Sequence, residues 1–316
     1  MITVLLLFLA GLILICLGGD RLVDASVAIA RKMGIPQIVV GATIVSIGTT
    51  LPEVLVSTTA AFDGSAAISA GNAFGSIICN TALIAGLAQL LRPSKKVEFD
   101  SMAWRSVFFF VVILGMMAYG WFTGKFDRPV GFLLLVLFGV YAGLNIVRSQ
   151  KEGEVTVETP ESLEELKKIS VPKNMAVLVV CALMLFLGAN LLVDNGIILA
   201  SFLGVPERVI AVTAIALGTS LPELVTSIMS LVKGYENVGL GNIVGANILN
   251  LLLVIGIPAA ITGMELEKQT VRVDAPLGAA LMAALILPIL VRKKGSRIQG
   301  LVLLLAYAVY CICSFG

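Results

Sequence analysis

The chain has 316 residues, of which 58% are hydrophobic and 13% charged, and its mean hydropathy is +1.02. No soluble domain needs that much apolar surface, so the composition points to a polytopic membrane protein. A net charge of +2 gives no basis for a nucleic-acid partner, and the absence of histidine excludes imidazole proton relays and imidazole metal sites.

Ten apolar runs are long enough to cross a bilayer, which takes about 20 residues. They lie near 2–19 (continuing amphipathically to about 30), 38–62, 64–91, 106–123 and 129–147, then 174–200, 209–232, 237–263, 275–291 and 298–316. Met1 leads into the first run with no basic segment or cleavage site, so that run reads as a span rather than a signal peptide. A hydrophilic linker, 148–173, divides five runs (1–147) from five (174–316). It carries Glu152, Glu154, Glu158, Glu161, Glu164 and Glu165 and is expected to be a solvated loop with a helical turn or two. Cys16, Cys79, Cys181, Cys311 and Cys313 are expected to be small buried hydrophobes, not disulfides.

Lysine and arginine in the loops set the orientation. With the N-terminus outside, inside loops hold 16 of these residues, among them Arg31, Lys32, Arg92, Arg105, Arg148, Lys233 and Arg292, against 5 outside. Both termini are therefore expected outside the cell membrane and the linker in the cytoplasm.

The two halves repeat each other. Aligned without gaps, residues 18–80 and 188–250 are identical at 21 of 63 positions, including Leu22-Val23-Asp24 with Leu192-Val193-Asp194 and Thr43 with Thr213. Each copy holds five spans, an odd number, so the second copy enters the membrane inverted. The expected fold is an all-α polytopic membrane protein with ten transmembrane helices in two inverted five-helix repeats. Such repeats typify secondary transporters, whose site lies at the midplane where they meet.

The best-matched stretch is Gly48-Thr49-Thr50-Leu51-Pro52-Glu53, which returns as Gly218-Thr219-Ser220-Leu221-Pro222-Glu223. An acid inside an apolar span marks an ion or substrate pathway by default. Proline removes an N–H and clashes with the carbonyl four residues back, so each helix is expected to kink or break there. Thr49 and Thr50 share a helix face with Glu53, as Thr219 and Ser220 do with Glu223. The second motif runs Gly71 to Asn80 and Gly241 to Asn250; its glycines at i and i+4 let helices approach closely. Asn72, Ser76 and Asn80 form a stripe, matched by Asn242, Ala246 and Asn250. These donors are all oxygens, which suit hard cations such as Ca2+ and not zinc or copper. Two carboxylates balance one Ca2+ or two Na+, so competition for shared ligands is a physical basis for exchange. Asp24 and Asp194 end the first span of each repeat and read as caps or interfacial ion pairs, Asp24 with Arg21 or Arg31.

The doubled motifs GTTLPE…GNAFGSIICN and GTSLPE…GNIVGANILN resemble the α-repeats of the cation/calcium antiporter superfamily, specifically the prokaryotic sodium/calcium exchangers. The resemblance covers the whole ten-helix layout. It implies Na+-driven Ca2+ transport by alternating access, with two mobile helices sliding past a core of eight. It implies that Glu53 and Glu223 are the central shared ligands, with hydroxyl and backbone oxygens from Thr49, Thr50, Thr219 and Ser220. Carbonyls of Ser46 and Ala216, an outer sodium ligand at Ser76, and Asn80 and Asn250 beside the middle position complete the implied set. Two departures bear on ion preference. Asn250 stands where some archaeal and the potassium-dependent relatives carry Asp, which argues against K+ co-transport. Ala246 replaces the serine expected from repeat symmetry, making the flanking sodium sites unequal.

Other classes fit less well. A cation channel also uses acids and carbonyls, but builds its pore from symmetric subunits or parallel repeats. An intramembrane enzyme could use two acids as a catalytic dyad, but the sequence offers no nucleophile–base pair and no cofactor motif. Within transporters, a Ca2+/H+ or less selective cation exchanger is the alternative. The expected partners are the lipid bilayer and the transported Na+ and Ca2+, with no resident cofactor and no nucleic acid, in a monomeric protein.

Overall fold

In lipid every backbone polar group has to be satisfied within the protein, and a helix does so within one segment. In the computed structural model, which describes residues 1–64, 66–95, 97, 99–152, 169–204 and 218–315, the long elements are accordingly all helices. Among the described residues, eight are long and apolar enough to cross a membrane. These are α1 (Ile2–Met33), α2 (Gln37–Phe62), α3 (Ser69–Leu91), α4 (Phe99–Thr123), α5 (Arg128–Glu152), α6 (Val171–Phe202), α8 (Glu236–Thr262) and α9 (Thr270–Arg292). Two shorter apolar helices, α7 (Leu221–Val232) and α10 (Arg297–Cys313), occupy the remaining expected runs. Residues 209–217 of run 209–232 lie outside the described residues, Thr213 and Ala216 among them, and so do Pro206, Arg208 and the linker residues from 153 to 168.

Several expected boundaries move. Helical turns enter both ends of the expected linker, where α5 continues through Arg148 to Glu152 and α6 begins at Val171. Helix α4 starts at Phe99, which takes Arg105 out of the loop assigned to it. Arg105 is fully buried, donates to the Ser101 carbonyl at 2.6 Å and to Asn145 Oδ1 at 2.7 Å, and lies over the Trp104 ring. Asp24 lies within the 32-residue α1 and forms an ion pair, as expected, but with Lys233 at 2.6 Å rather than with Arg21 or Arg31. Lys233 also pairs with Asp20 at 2.7 Å. Partial burial opposes its charge, yet the two aspartates outweigh burial and hold the ammonium above the usual lysine range. All five cysteines are free, but only Cys79 and Cys181 are buried; Cys313 is exposed, as an apolar thiol can be on a surface that faces lipid.

Glycines set how closely the helices cross. On α1 and α6, a Cβ added at Gly11 would lie 2.8 Å from the Gly188 carbonyl, and one at Gly188 2.9 Å from the Gly11 carbonyl. The crossing of α2 with α8 is tighter. A Cβ at Gly41 would collide with the Val238 carbonyl, one at Gly241 with the Ile38 carbonyl, and one at Gly245 would sit 2.6 Å from the Ala42 backbone. The Gly-x-x-x-Gly pair of the second copy is thus a packing device, as its spacing predicts, whereas a Cβ at Gly71 or Gly75 of the first copy would meet nothing within 4 Å, so there the expected close approach does not occur. At one end of the bundle, β1 (Lys125–Phe126) pairs antiparallel with β2 (Met264–Glu265) and ties the two halves together.

Candidate functional site

The two proline motifs differ in structure despite their sequence identity. Pro52 lies inside a helix that continues unbroken from Ser46 to Phe62. Pro222 falls in the first turn of α7, where its missing N–H costs nothing, and Thr219 and Ser220 form the turn before it. The expected break therefore occurs in one repeat only. Other irregularity comes from π-helical turns at Gly41–Val45, Cys79–Ile84, Asn250–Val254 and Thr270–Asp274. Such turns free backbone carbonyls and concentrate at functional sites. The Tyr141 hydroxyl donates to one of them, the Ala42 carbonyl, at 2.8 Å. Asn80 and Asn250, equivalent under the repeat, both stand at the start of π turns.

Hydrogen bonds link the halves reciprocally. Thr49 donates to Asn242 Oδ1 at 3.2 Å, and its equivalent Thr219 donates to Asn72 Oδ1 at 3.4 Å. Asn72 in turn donates to Ser57 Oγ at 2.9 Å and Asn242 to Thr226 Oγ1 at 3.0 Å. These two asparagines, which the stripe pattern assigns to the oxygen cluster, spend their amides fixing the threonines and their own neighbouring helices. Thr50 donates to Glu223 Oε1 at 3.4 Å, which brings the first-half hydroxyl to the second-half acid. Glu53 and Glu223 are both fully buried.

What remains unpaired is informative, because buried polar atoms without partners are rare and costly. Both carboxylate oxygens of Glu53, Glu223 Oε2, Asn80 Oδ1 and both amide atoms of Asn250 have no hydrogen-bond partner. Ser220 Oγ likewise has no hydrogen-bond partner. Ser46 and Ser76 are buried nearby in sequence; the Ser46 carbonyl receives the Thr49 hydroxyl at 3.5 Å. Thr219 is half-buried. Among the described residues there is no group of three or more His, Cys, Asp or Glu, so the acid pair stands without a third carboxylate. Asn247, which the spacing of the motif does not single out, is buried beside Asn80 and bonded to it at 3.3 Å. The signal for it was a broken repeat: the first copy has Ile77 at that position.

The comparisons agree with one another. A family model described as sodium/calcium exchanger protein matches residues 3–147 and 173–316. The inner membrane protein YrbG of Escherichia coli (strain K12) is 37% identical over 267 residues, covering 83% of this chain and 81% of that one. The sodium/calcium exchanger MaX1 of Methanosarcina acetivorans is 30% identical over 349 residues, covering 100% and 99%. Among solved structures, the sodium-calcium exchanger NCX_Mj soaked with 2.5 mM Na+ and 0.1 mM Sr2+ matches with a TM-score of 0.83 and 30% identity, covering 100% of this chain and 99% of that one.

Proposed function

The chain belongs to the sodium/calcium exchanger family, and from that premise we propose that it exchanges Na+ for Ca2+ across the cell membrane by alternating access. In this reading ten helices form two inverted five-helix repeats, with the termini outside and the central segment inside, in a monomer. Glu53 and Glu223 bind the shared ion at the midplane. Thr49, Thr50, Thr219, Ser220, Ser46, Ala216, Ser76, Asn80 and Asn250 supply the surrounding hydroxyl, amide and carbonyl oxygens.

One observation carries the site assignment: oxygens left without hydrogen bonds, inside a buried core, on residues that recur at a 170-position offset. A carboxylate without a partner is tolerated in a dry site when a cation completes it. The same oxygens accept Na+ or Ca2+ in turn, and only one load fits at a time. Coupling follows from that exclusion, because the cage returns across the membrane with whichever ion displaced the other.

Radiolabelled Ca2+ uptake into proteoliposomes tests the activity. Vesicles loaded with Na+ are compared with vesicles holding equal Na+ on both sides and with vesicles holding only a pH gradient. Uptake is expected only with the outward Na+ gradient. Uptake on the pH gradient alone would make the protein a Ca2+/H+ exchanger, and uptake indifferent to both would make it a channel. Substituting Asn250→Asp adds a third carboxylate and is expected to shift the balance toward Ca2+, raising the Na+ needed to compete by about tenfold. Unchanged competition would remove Asn250 from the site.

A further inference from the structure

Amide side chains have one end that donates and one that accepts, so a cage built partly from asparagine depends on which end faces the ion. Asn80 sits at the end of a short relay across three helices. Asn247, on α8, turns its Nδ2 toward Thr81 Oγ1 at 2.8 Å and toward the Met282 sulfur of α9 at 3.6 Å. Its Oδ1 accepts from Asn80 Nδ2 at 3.3 Å. Asn80, Thr81, Asn247 and Met282 are all fully buried.

The direction of this relay has one origin. A thioether sulfur carries no hydrogen and can only accept, so the NH2 end of Asn247 belongs against Met282. The carbonyl end then faces Asn80. A carbonyl can only accept too, so Asn80 turns its NH2 toward Asn247. The oxygen of Asn80 is the end left over, and it has no hydrogen-bond partner in the protein. We propose that Asn247 is a positioning residue: backed by Met282, it sets the Asn80 amide so that its oxygen, not its NH2, faces the ion cage. This inference rests on the reading of Asn80 as an ion ligand.

The other half of the cage has no such relay. The residue equivalent to Asn247 is Ile77, packed where Gly278 makes room for it. Asn250, equivalent to Asn80, has no partner for either end of its amide. One asparagine is therefore set as an oxygen donor, while its twin is free to turn.

The test reads half-saturating Ca2+ by equilibrium binding to the purified protein, alongside uptake. Substituting Asn247→Leu is expected to raise it about tenfold while the size-exclusion profile is unchanged. A carboxylate at position 80 has two equivalent oxygens and nothing to orient. In an Asn80→Asp background, Asn247→Leu is therefore expected to weaken binding by less than about twofold, or to tighten it. The same factor in both backgrounds would show a structural role and overturn the proposal, as would an Asn80→Asp protein that binds no Ca2+. Should Asn247→Leu fail to fold, Met282→Leu keeps the volume and removes only the sulfur; a rise of about threefold is expected, and unchanged affinity overturns the relay. Failure of the underlying reading looks different: Asn80→Leu itself would then leave Ca2+ binding untouched.

Discussion

Substituting Glu53→Gln or Glu223→Gln is expected to bring Na+-driven Ca2+ uptake to background, a loss of at least about 100-fold in each case. The substitution keeps shape and volume, so the effect isolates charge. Both side chains are fully buried, and one Ca2+ in the cage is balanced only when both carboxylates are present. Removing one leaves a buried uncompensated positive charge, which costs about 3 kcal/mol or more. The ion-free protein should respond in the opposite sense. There the two acids repel each other without a cation between them, so the glutamine variants should melt no lower than the parent. What they should lose is the rise in melting temperature that Ca2+ gives the parent by mass action. Parental uptake rates, or an undiminished Ca2+-dependent rise in either variant, would remove that glutamate from the site.

The second large effect concerns folding. Substituting Gly241→Val is expected to cost on the order of 3 kcal/mol or more, because the added carbons would have to enter the Ile38 carbonyl across the α2–α8 crossing. Backbone cannot yield as a flexible side chain can. These helices carry residues of both acid motifs' networks, so a forced separation would also break the Thr49–Asn242 bond. Recovery of monodisperse protein after solubilisation, and its melting temperature, are the measurements. Gly196→Ala is the control: its Cβ would meet Phe8 at 3.5 Å, an ordinary contact, and should change stability by less than about 0.5 kcal/mol. A Gly241→Val protein as stable as the control would mean that the crossing has slack.

Much of this architecture is written in periodicity and repetition. Apolar runs locate the helices, and the match of Gly48–Glu53 to Gly218–Glu223 brings the acids forward as a pair. Direction and partner are harder to read. Pro52 and Pro222 have the same neighbours in sequence, yet only one stands at a helix break, because the outcome depends on packing around each turn. Arg105 looks like a loop charge until Asn145, 40 positions later, is seen to hold it inside the bundle. Asp24 meets Lys233 from the far half of the chain, a pairing that no local rule contains. Asn72 and Asn242 share the stripe with Asn80 and Asn250, but spacing alone does not separate the pair that binds threonine from the pair whose amide oxygens are left without a partner.

Among the described residues no third acid joins Glu53 and Glu223, and in the proposed site that has an electrical meaning. With one Ca2+ on two carboxylates the loaded cage is neutral, and a membrane potential does no work on a neutral carrier as it changes sides. Each unbalanced elementary charge would feel about 2.3 kcal/mol per 100 mV. Two Na+ leave the carrier equally indifferent; a third would make the sodium-loaded form a cation. In that proposed site, any current would belong to the sodium half-cycle, and voltage would act as a throttle on the return stroke while leaving the calcium stroke alone.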